Sequence, residues 1–303
     1  MIHGDVPHVP LKVSRCVLGT SGCRDAGAYA LLDAYLEAGG NCLDSAHVYG
    51  GGRSEVTVGA WLAERGVREE VVIVGKGAHP PDCRPEAIGP QLTESLDRLG
   101  TDHLDVYLLH RDDPEVPVDE FVDALEAEVR AGRIRCYGGS NWSVERVRAA
   151  DEHAARVSGQ GFTALSNHFS LAEPVEPLYP GCVAVDRAGR EHLAATRTAL
   201  FPWSSQARGF FSGVDPALLD PNMVRCWDTP ANRERRERAA VLARRHSVEV
   251  INIALAYVLA QPFPAYPIIG PRSTDELRTA LAGVEVRLTA AECRWLESGA
   301  GTP

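Results

Sequence analysis

The 303-residue chain carries 31 Lys and Arg against 41 Asp and Glu, a formal net charge of −10, with 45% hydrophobic and 24% charged residues. That length suits one α/β barrel of ~250 residues with insertions, and the composition is that of a globular chain rather than a disordered one. An acidic surface disfavours the phosphate backbone, so no nucleic-acid partner is expected, although a local basic pocket for a single phosphate remains open.

In chain order, the N-terminus MIHGDVPHVPLK has no apolar core of signal-peptide type. Short apolar, β-branched runs then alternate with helical patterns. The runs are CVLG (16–19), NCLD (41–44), VVIVG (71–75), LDVYLL (104–109), IRCYGG (134–139), FTALS (162–166), TALFPW (198–203) and YPIIG (266–270). Helical periodicity covers 29–38, 54–64, 85–99, 118–131, 144–154, 190–195, 232–246, 250–260 and 274–282. This alternation predicts parallel strands joined by crossover helices. Strands that are apolar throughout are those covered on both faces. Eight units favour a closed (β/α)8 TIM barrel over an open doubly wound sheet, and no G-x-G-x-x-G follows the first strand. One domain over residues 1–303 is expected.

Two segments exceed ordinary loop length. Residues 167–189 hold Pro174, Pro177, Pro180 and Gly181. Residues 204–231 hold Gly209, Gly213, Pro216, Pro221 and Pro230. Both follow strands, which puts them at the C-terminal face of a barrel as a candidate substrate lid or cofactor clamp. The longest apolar stretch, 251–260, is too short to span a bilayer, so no membrane association is expected. The eight cysteines (Cys16, Cys23, Cys42, Cys83, Cys136, Cys182, Cys226 and Cys293) contain no C-x-x-C pair and no metal spacing. They read as free thiols of a cytoplasmic protein. Oligomeric state is not legible from the sequence.

Four polar residues sit at or just after consecutive strands. Asp44 and Tyr49 lie in NCLDSAHVYGGGRSE, Lys76 in VVIVGKG and His110 in LDVYLLHRDD. A barrel brings all four to one mouth. Taken singly, such an Asp is often a helix cap, such a Lys solvated and such a His core or surface. As a set they match one chemistry. Carbonyl reduction requires hydride at carbon and a proton at oxygen. A Tyr phenol, with a reference pKa of ~10, is brought into range by an adjacent ammonium, here Lys76, which Asp44 holds charged. His110 orients the substrate oxygen by a hydrogen bond. No metal is needed.

D-x4-Y-G, with the strand-end Lys and His in this order, resembles the Asp-Tyr-Lys-His tetrad of the aldo-keto reductase superfamily, over residues 17–281. LDSAHVYGGGRSEVTVGAWL resembles its first signature, GGSNWS its fifth-strand motif, LFPWSSQARGFFSG its seventh-strand motif and following loop, and IIGPRSTDEL its adenosine-phosphate stretch. The resemblance implies Tyr49 as general acid, with Asp44, Lys76 and His110 beside it. It further implies Ser140, Asn141 and Ser166 at the nicotinamide carboxamide, and Trp203 stacked on the ring. Ser204, Ser205, Gln206 and Gly209 then line the pyrophosphate path, and Gly270, Arg272, Ser273 and Glu276 meet the adenosine end. Arg272 beside a helix start favours a 2′-phosphate, and hence NADP(H) over NAD(H).

The chain departs from the family pattern in places. Ser166 replaces the usual Gln, Ala280 replaces an Asn common near the adenine, and the usual basic residue beside Gly270 is missing. The N-terminal segment looks short for the hairpin that often plugs the barrel floor. For the substrate wall the candidates are Cys23, His79, His110, Arg111 and Trp142. The last three, with His79, follow strands and are expected to face the mouth, either binding a polyhydroxylated group or sitting as solvated rim residues. The polar stretch GCVAVDRAGREH (181–192) points to a polar substrate such as a carbohydrate derivative. The expected activity is NADPH-dependent reduction of a small-molecule aldehyde or ketone. The alternatives are a sugar or polyol dehydrogenase running oxidatively, and a cofactor-sensing regulatory subunit, against which the intact four residues argue.

Overall fold

The computed structural model describes residues 1–213 and 220–302. In chain order the elements are β1 (His3–Gly4), β2 (Val13–Ser14), β3 (Val17–Gly19), α1 (Tyr29–Glu37), β4 (Cys42–Asp44), α2 (Arg53–Arg65), β5 (Val72–Gly77) and α3 (Ile88–Leu99). Then come β6 (Leu104–Leu109), α4 (Val118–Arg130), β7 (Ile134–Ser140), α5 (Val144–Arg156), β8 (Ala164–Ser166), α6 (Arg187–Thr196) and β9 (Ala199–Leu200). The chain finishes with α7 (Pro221–Trp227), α8 (Pro230–His246), α9 (Val250–Leu259), β10 (Ile268–Ile269), α10 (Thr274–Glu285) and α11 (Ala290–Ser298).

Eight strands pair in parallel in the order β10-β3-β4-β5-β6-β7-β8-β9. The sheet curls on itself. Leu200 of β9 bridges Ala265, just before β10, with Leu200 N–H donating to Pro264 O at 2.8 Å and Tyr266 N–H donating to Leu200 O at 2.7 Å. The result is a (β/α)8 barrel.

Alternation along each strand sorts the apolar side chains into two cores. Val72, Val74, Val106, Leu108, Cys136 and Phe201 fill the barrel interior. Ile73, Tyr107, Leu109, Tyr137 and Leu165 pack outward against the helices. Both faces are covered, which is why these strands carry no polar alternation. Strands β7 and β8 approach closely at Gly138, where a Cβ would meet Ala164 O at 1.7 Å, so only glycine fits. Among the described residues no helix is long and apolar enough to cross a membrane.

The chain differs from the sequence expectation at its ends and in the segment just before α8. An N-terminal hairpin is present, β1 pairing antiparallel with β2. Two residues per strand suffice because its energy comes from burial: Val6, Val9 and Val13 join the interior cluster and close the barrel floor. Tyr266 Oη donates to Asp5 O at 2.8 Å, tying the hairpin to β10. Pro7 and Pro10 remove the alternation that would have marked it. Helices α7 and α11 were also not anticipated. Asp220 caps α7, and Thr289 with Glu292 forms a capping box on α11.

Candidate active site

Asp44 is the last residue of β4, and it pairs in register with Gly19 and Val74. Lys76 sits one strand over, near the end of β5, beside Leu108 of β6. His110 follows β6 directly, its N–H donating to Gly77 O at 2.6 Å. Tyr49 reaches the same point from the β4–α2 loop. That loop is stitched to β5, Ser45 N–H donating to Val74 O and His47 N–H to Lys76 O, both at 2.8 Å. Arg98 of α3 holds it from below, donating to His47 O at 3.2 Å and to the fully buried Glu55 carboxylate at 3.1 Å. The turn after Tyr49 runs through three left-handed glycines. At Gly52 (φ 86) a Cβ would also strike the Arg98 guanidinium at 2.6 Å.

The four side chains converge. Lys76 is 3% exposed and spends its three donors on Asp44 Oδ1 at 2.5 Å, Ser45 O at 2.9 Å and Tyr49 Oη at 3.2 Å. Tyr49 Oη lies 3.5 Å from Asp44 Oδ2. The Tyr49 and His110 rings meet edge to face, 5.8 Å between centroids. His110 in turn meets His79 at 4.9 Å.

The electrostatics follow from burial. Burial pushes the Asp44 carboxyl above its ordinary value, opposed by Lys76. Burial acts to lower the Lys76 ammonium, but Asp44 and Tyr49 outweigh it and the net direction is upward, so the ammonium is held. The expected lowering of the Tyr49 phenol is not the net result. Burial raises it, and Lys76 only partly offsets this, so Tyr49 is a neutral proton carrier. Burial first, then Lys76, Arg111 and His79, drives His110 well below its usual value, and its ring is neutral. Its Nδ1 is buried and has no hydrogen-bond partner among the described residues.

The strand ends beyond His110 continue the arc. Ser140 Oγ donates to Ser166 O at 2.8 Å, and Asn141 Nδ2 donates to Ser140 Oγ at 3.0 Å. Asn141 adopts a left-handed conformation (φ 62), and its Oδ1 accepts from Val183 N–H at 3.1 Å. Ser166 Oγ is buried with no hydrogen-bond partner among the described residues. Trp203 is partly exposed and leans on His168, 5.1 Å between centroids, which packs on Trp227 at 5.3 Å. Buried His168, its pKa pushed down to about 3 by burial, is the packing support of Trp203 that sequence reasoning missed. The only signal was its place after the sixth barrel strand.

Ser204, Ala207 and Arg208 are left-handed, as is Gly209 (φ 91). Ser205 and Gln206 turn inward, tying this loop to Ile268 O at 2.8 Å and Ile251 O at 3.3 Å rather than facing outward. Exposed Gly270, Arg272 and Ser273 precede α10. Ser273 caps that helix, and the Glu276 carboxylate accepts from Arg272 N–H at 2.7 Å. Pro216 lies outside the described residues.

Two wall candidates are corrected. Trp142 is 0% exposed, packed on Phe121 and Phe162 with its indole N–H donating to Arg111 O at 3.3 Å. Cys23, 2% exposed, belongs to the outer core, its thiol pushed up to about 11 by burial. Large apolar surface favoured packing over a place at the mouth. His79 and Arg111 remain partly exposed. The charges of 181–192 are mostly committed to structure: Asp186 caps α6, Arg187 pairs with Glu191, and Arg190 pairs with Glu297. They give no support to a carbohydrate.

The sequence profile of the aldo/keto reductase family matches residues 17–298. The oxidoreductase YrpG of Bacillus subtilis is 29% identical over 311 residues, covering 94% of this chain and 92% of its own. Among solved structures, the thermostable aldo-keto reductase Tm1743, in complex with the inhibitor epalrestat, superposes with a TM-score of 0.77 at 24% identity, covering 98% of this chain and 99% of its own. An aldo/keto reductase from Klebsiella pneumoniae, in complex with NADP and acetate, superposes with a TM-score of 0.73 at 23% identity, covering 94% and 91%. Both likenesses bear on the fold.

Proposed function

The chain belongs to the aldo/keto reductase family, oxidoreductases acting on carbonyl and alcohol groups, and from that premise we propose that it is a cytoplasmic, single-domain, NADPH-dependent reductase of a small-molecule aldehyde or ketone. The contact chain Asp44–Lys76–Tyr49, with three bonds from one buried ammonium, carries the reading. Tyr49 holds the proton that a reduced carbonyl oxygen must receive. Lys76 stabilises the phenolate left behind, and Asp44 keeps Lys76 charged within the core. Neutral His110 supplies a hydrogen bond that positions the substrate oxygen without competing as an acid. The Gly50–Gly52 turn and Arg98 hold Tyr49 against Lys76.

The residues present fit a nicotinamide dinucleotide, which supplies the hydride when bound. Ser166 Oγ is a buried hydroxyl in want of a partner. Ser140 and Asn141 lie beside it to take a carboxamide, with Asn141 Oδ1 giving up Val183 N–H. Trp203, backed by His168, offers a ring face. Ser204, Ser205, Gln206 and Gly209 carry the pyrophosphate path by backbone more than by side chain. Arg272, exposed and in no ion pair among the described residues, stands at the start of the twelve-residue α10, where helix-end N–H groups favour phosphate. That arrangement favours NADP(H) over NAD(H). The eight unpaired thiols suit a reducing compartment.

The test is quenching of tryptophan fluorescence by NADPH and by NADH. Tight saturable quenching by NADPH, weaker by NADH and largely lost in Trp203→Ala, is expected. Absence of binding by either cofactor overturns the reading.

A further inference from the structure

Arg111 is tied to its surroundings through both its backbone and its guanidinium. Its carbonyl accepts from the Cys83 thiol at 3.0 Å and from the Trp142 indole N–H at 3.3 Å. Its Nη1 turns back to donate to His110 O at 2.8 Å. The Nη1 bond turns the guanidinium back to the His110 main chain, and the Arg111 Cδ lies beside Gly181. Among the described residues its Nη2 finds only Cys182 Sγ, at 3.6 Å, a weak acceptor for a strong donor.

Among the described residues none of the surrounding charged groups pairs with Arg111. Lys76 and Asp44 cancel. Asp112, next in sequence, is gripped by Arg146 through two bonds of 2.8 and 3.0 Å. Asp113 Oδ1 accepts from Glu115 N–H at 3.1 Å. Tyr49 and His110 are neutral. Among the described residues Arg111 forms no ion pair, and it is partly exposed. A half-buried, always-charged, planar fork without a counter-ion is matched by a carboxylate, which accepts two parallel N–H bonds. A neutral polyol would leave the charge uncompensated.

We propose that Arg111 is a specificity-determining residue that anchors a carboxylate on the substrate, so that the preferred substrates are oxo acids, carbonyl compounds bearing an anionic group. The proposal rests on the reductase reading for its reaction but not for its binding step. An acid enters with its carboxylate on the Arg111 fork and displaces only a thiol contact. The length of the acid then sets whether its carbonyl reaches Tyr49 and His110.

Two measurements separate the proposal from the reading beneath it. Initial rates with NADPH are compared for 4-formylbenzoate and methyl 4-formylbenzoate, and for 4-oxobutanoate and its methyl ester. The acids are expected to exceed their esters at least ~10-fold in kcat/KM, a ratio that collapses towards one in Arg111→Met and is partly kept in Arg111→Lys. Calorimetric binding of benzoate against benzamide, with and without NADP+, reports on the anchor even if no carbonyl is turned over. Benzoate is expected to bind at least ~10-fold tighter to the wild type and no tighter than benzamide to Arg111→Met. Equal binding of the two by the wild type, or a preference that survives Arg111→Met, overturns the anchor. Turnover that favours the esters or a neutral sugar aldehyde does so as well. Failure to turn over any carbonyl, with the benzoate preference intact, overturns the reductase reading alone.

Discussion

Replacing Lys76 with Met removes the ammonium from a carboxylate that is 3% exposed. Attraction between unit charges at the 2.5 Å contact is ~7 kcal/mol at an effective dielectric of ~20, an upper figure because Tyr49 and entering water take up part of the loss. Stripping one partner from a buried pair costs ~3–5 kcal/mol, and Lys76→Met is expected to lose that much at pH 8. The loss depends on pH in a defined sense. Burial already pushes the Asp44 pKa up and Lys76 opposes it, so without Lys76 the folded-state value rises further above the unfolded value of ~3.9. A group raised in this way stabilises the fold when protonated and loses that contribution as pH climbs through its folded-state value. The deficit of Lys76→Met is therefore smaller at pH 5 than at pH 8. Urea unfolding at both pH values measures it, and the double variant Asp44→Asn/Lys76→Met should recover most of the deficit because no charge is left buried. A loss below ~1 kcal/mol at pH 8, or one equal at both pH values, would refute the view of this pair as a buried ion pair.

Three further outcomes are expected. Tyr49→Phe should lower turnover by ~10²–10⁴, the usual worth of a general acid, while NADPH still quenches tryptophan fluorescence; activity at the wild-type level would remove Tyr49 from the role. Arg272→Ala should weaken NADPH by ~10-fold, in line with ~1.5–3 kcal/mol for a charged hydrogen bond partly replaced by water, and should barely affect NADH; equal losses for both cofactors would take Arg272 away from the 2′-phosphate. Because the His110 pKa lies well below its ordinary value and that of Tyr49 above it, kcat for reduction should be flat between ~pH 6 and ~pH 9 and fall as Tyr49 deprotonates above ~pH 10. A break near pH 6.5 that disappears in His110→Gln would contradict this.

Most of the barrel was legible because each barrel strand is a contiguous apolar run, and the strand-end positions of Asp44, Lys76 and His110 follow from those runs alone. Tyr49 was legible through its spacing from Asp44 and the glycines after it. Contacts made at long range were not. Nothing local marks Trp142 as core, Arg98 as the support of the tyrosine loop, or His168 as the backing of Trp203. The sign of the Tyr49 shift was misjudged for a related reason. A sequence shows that a lysine is near, but not how deeply the phenol is buried. The hairpin escaped because its stability comes from three valines inserted into a barrel that does not exist until the rest of the chain has folded.

That hairpin also sets a timetable. Asp5 is joined to Tyr266 across 261 positions, and Arg15 to Ala265 O across 250, so the hairpin's seat is made only after most of the barrel's chain has been synthesised. At ~5–20 residues per second, Val6, Val9 and Val13 wait ~13–50 s for the floor they close. Through that interval the three valines stand without the cover that the closed barrel gives them.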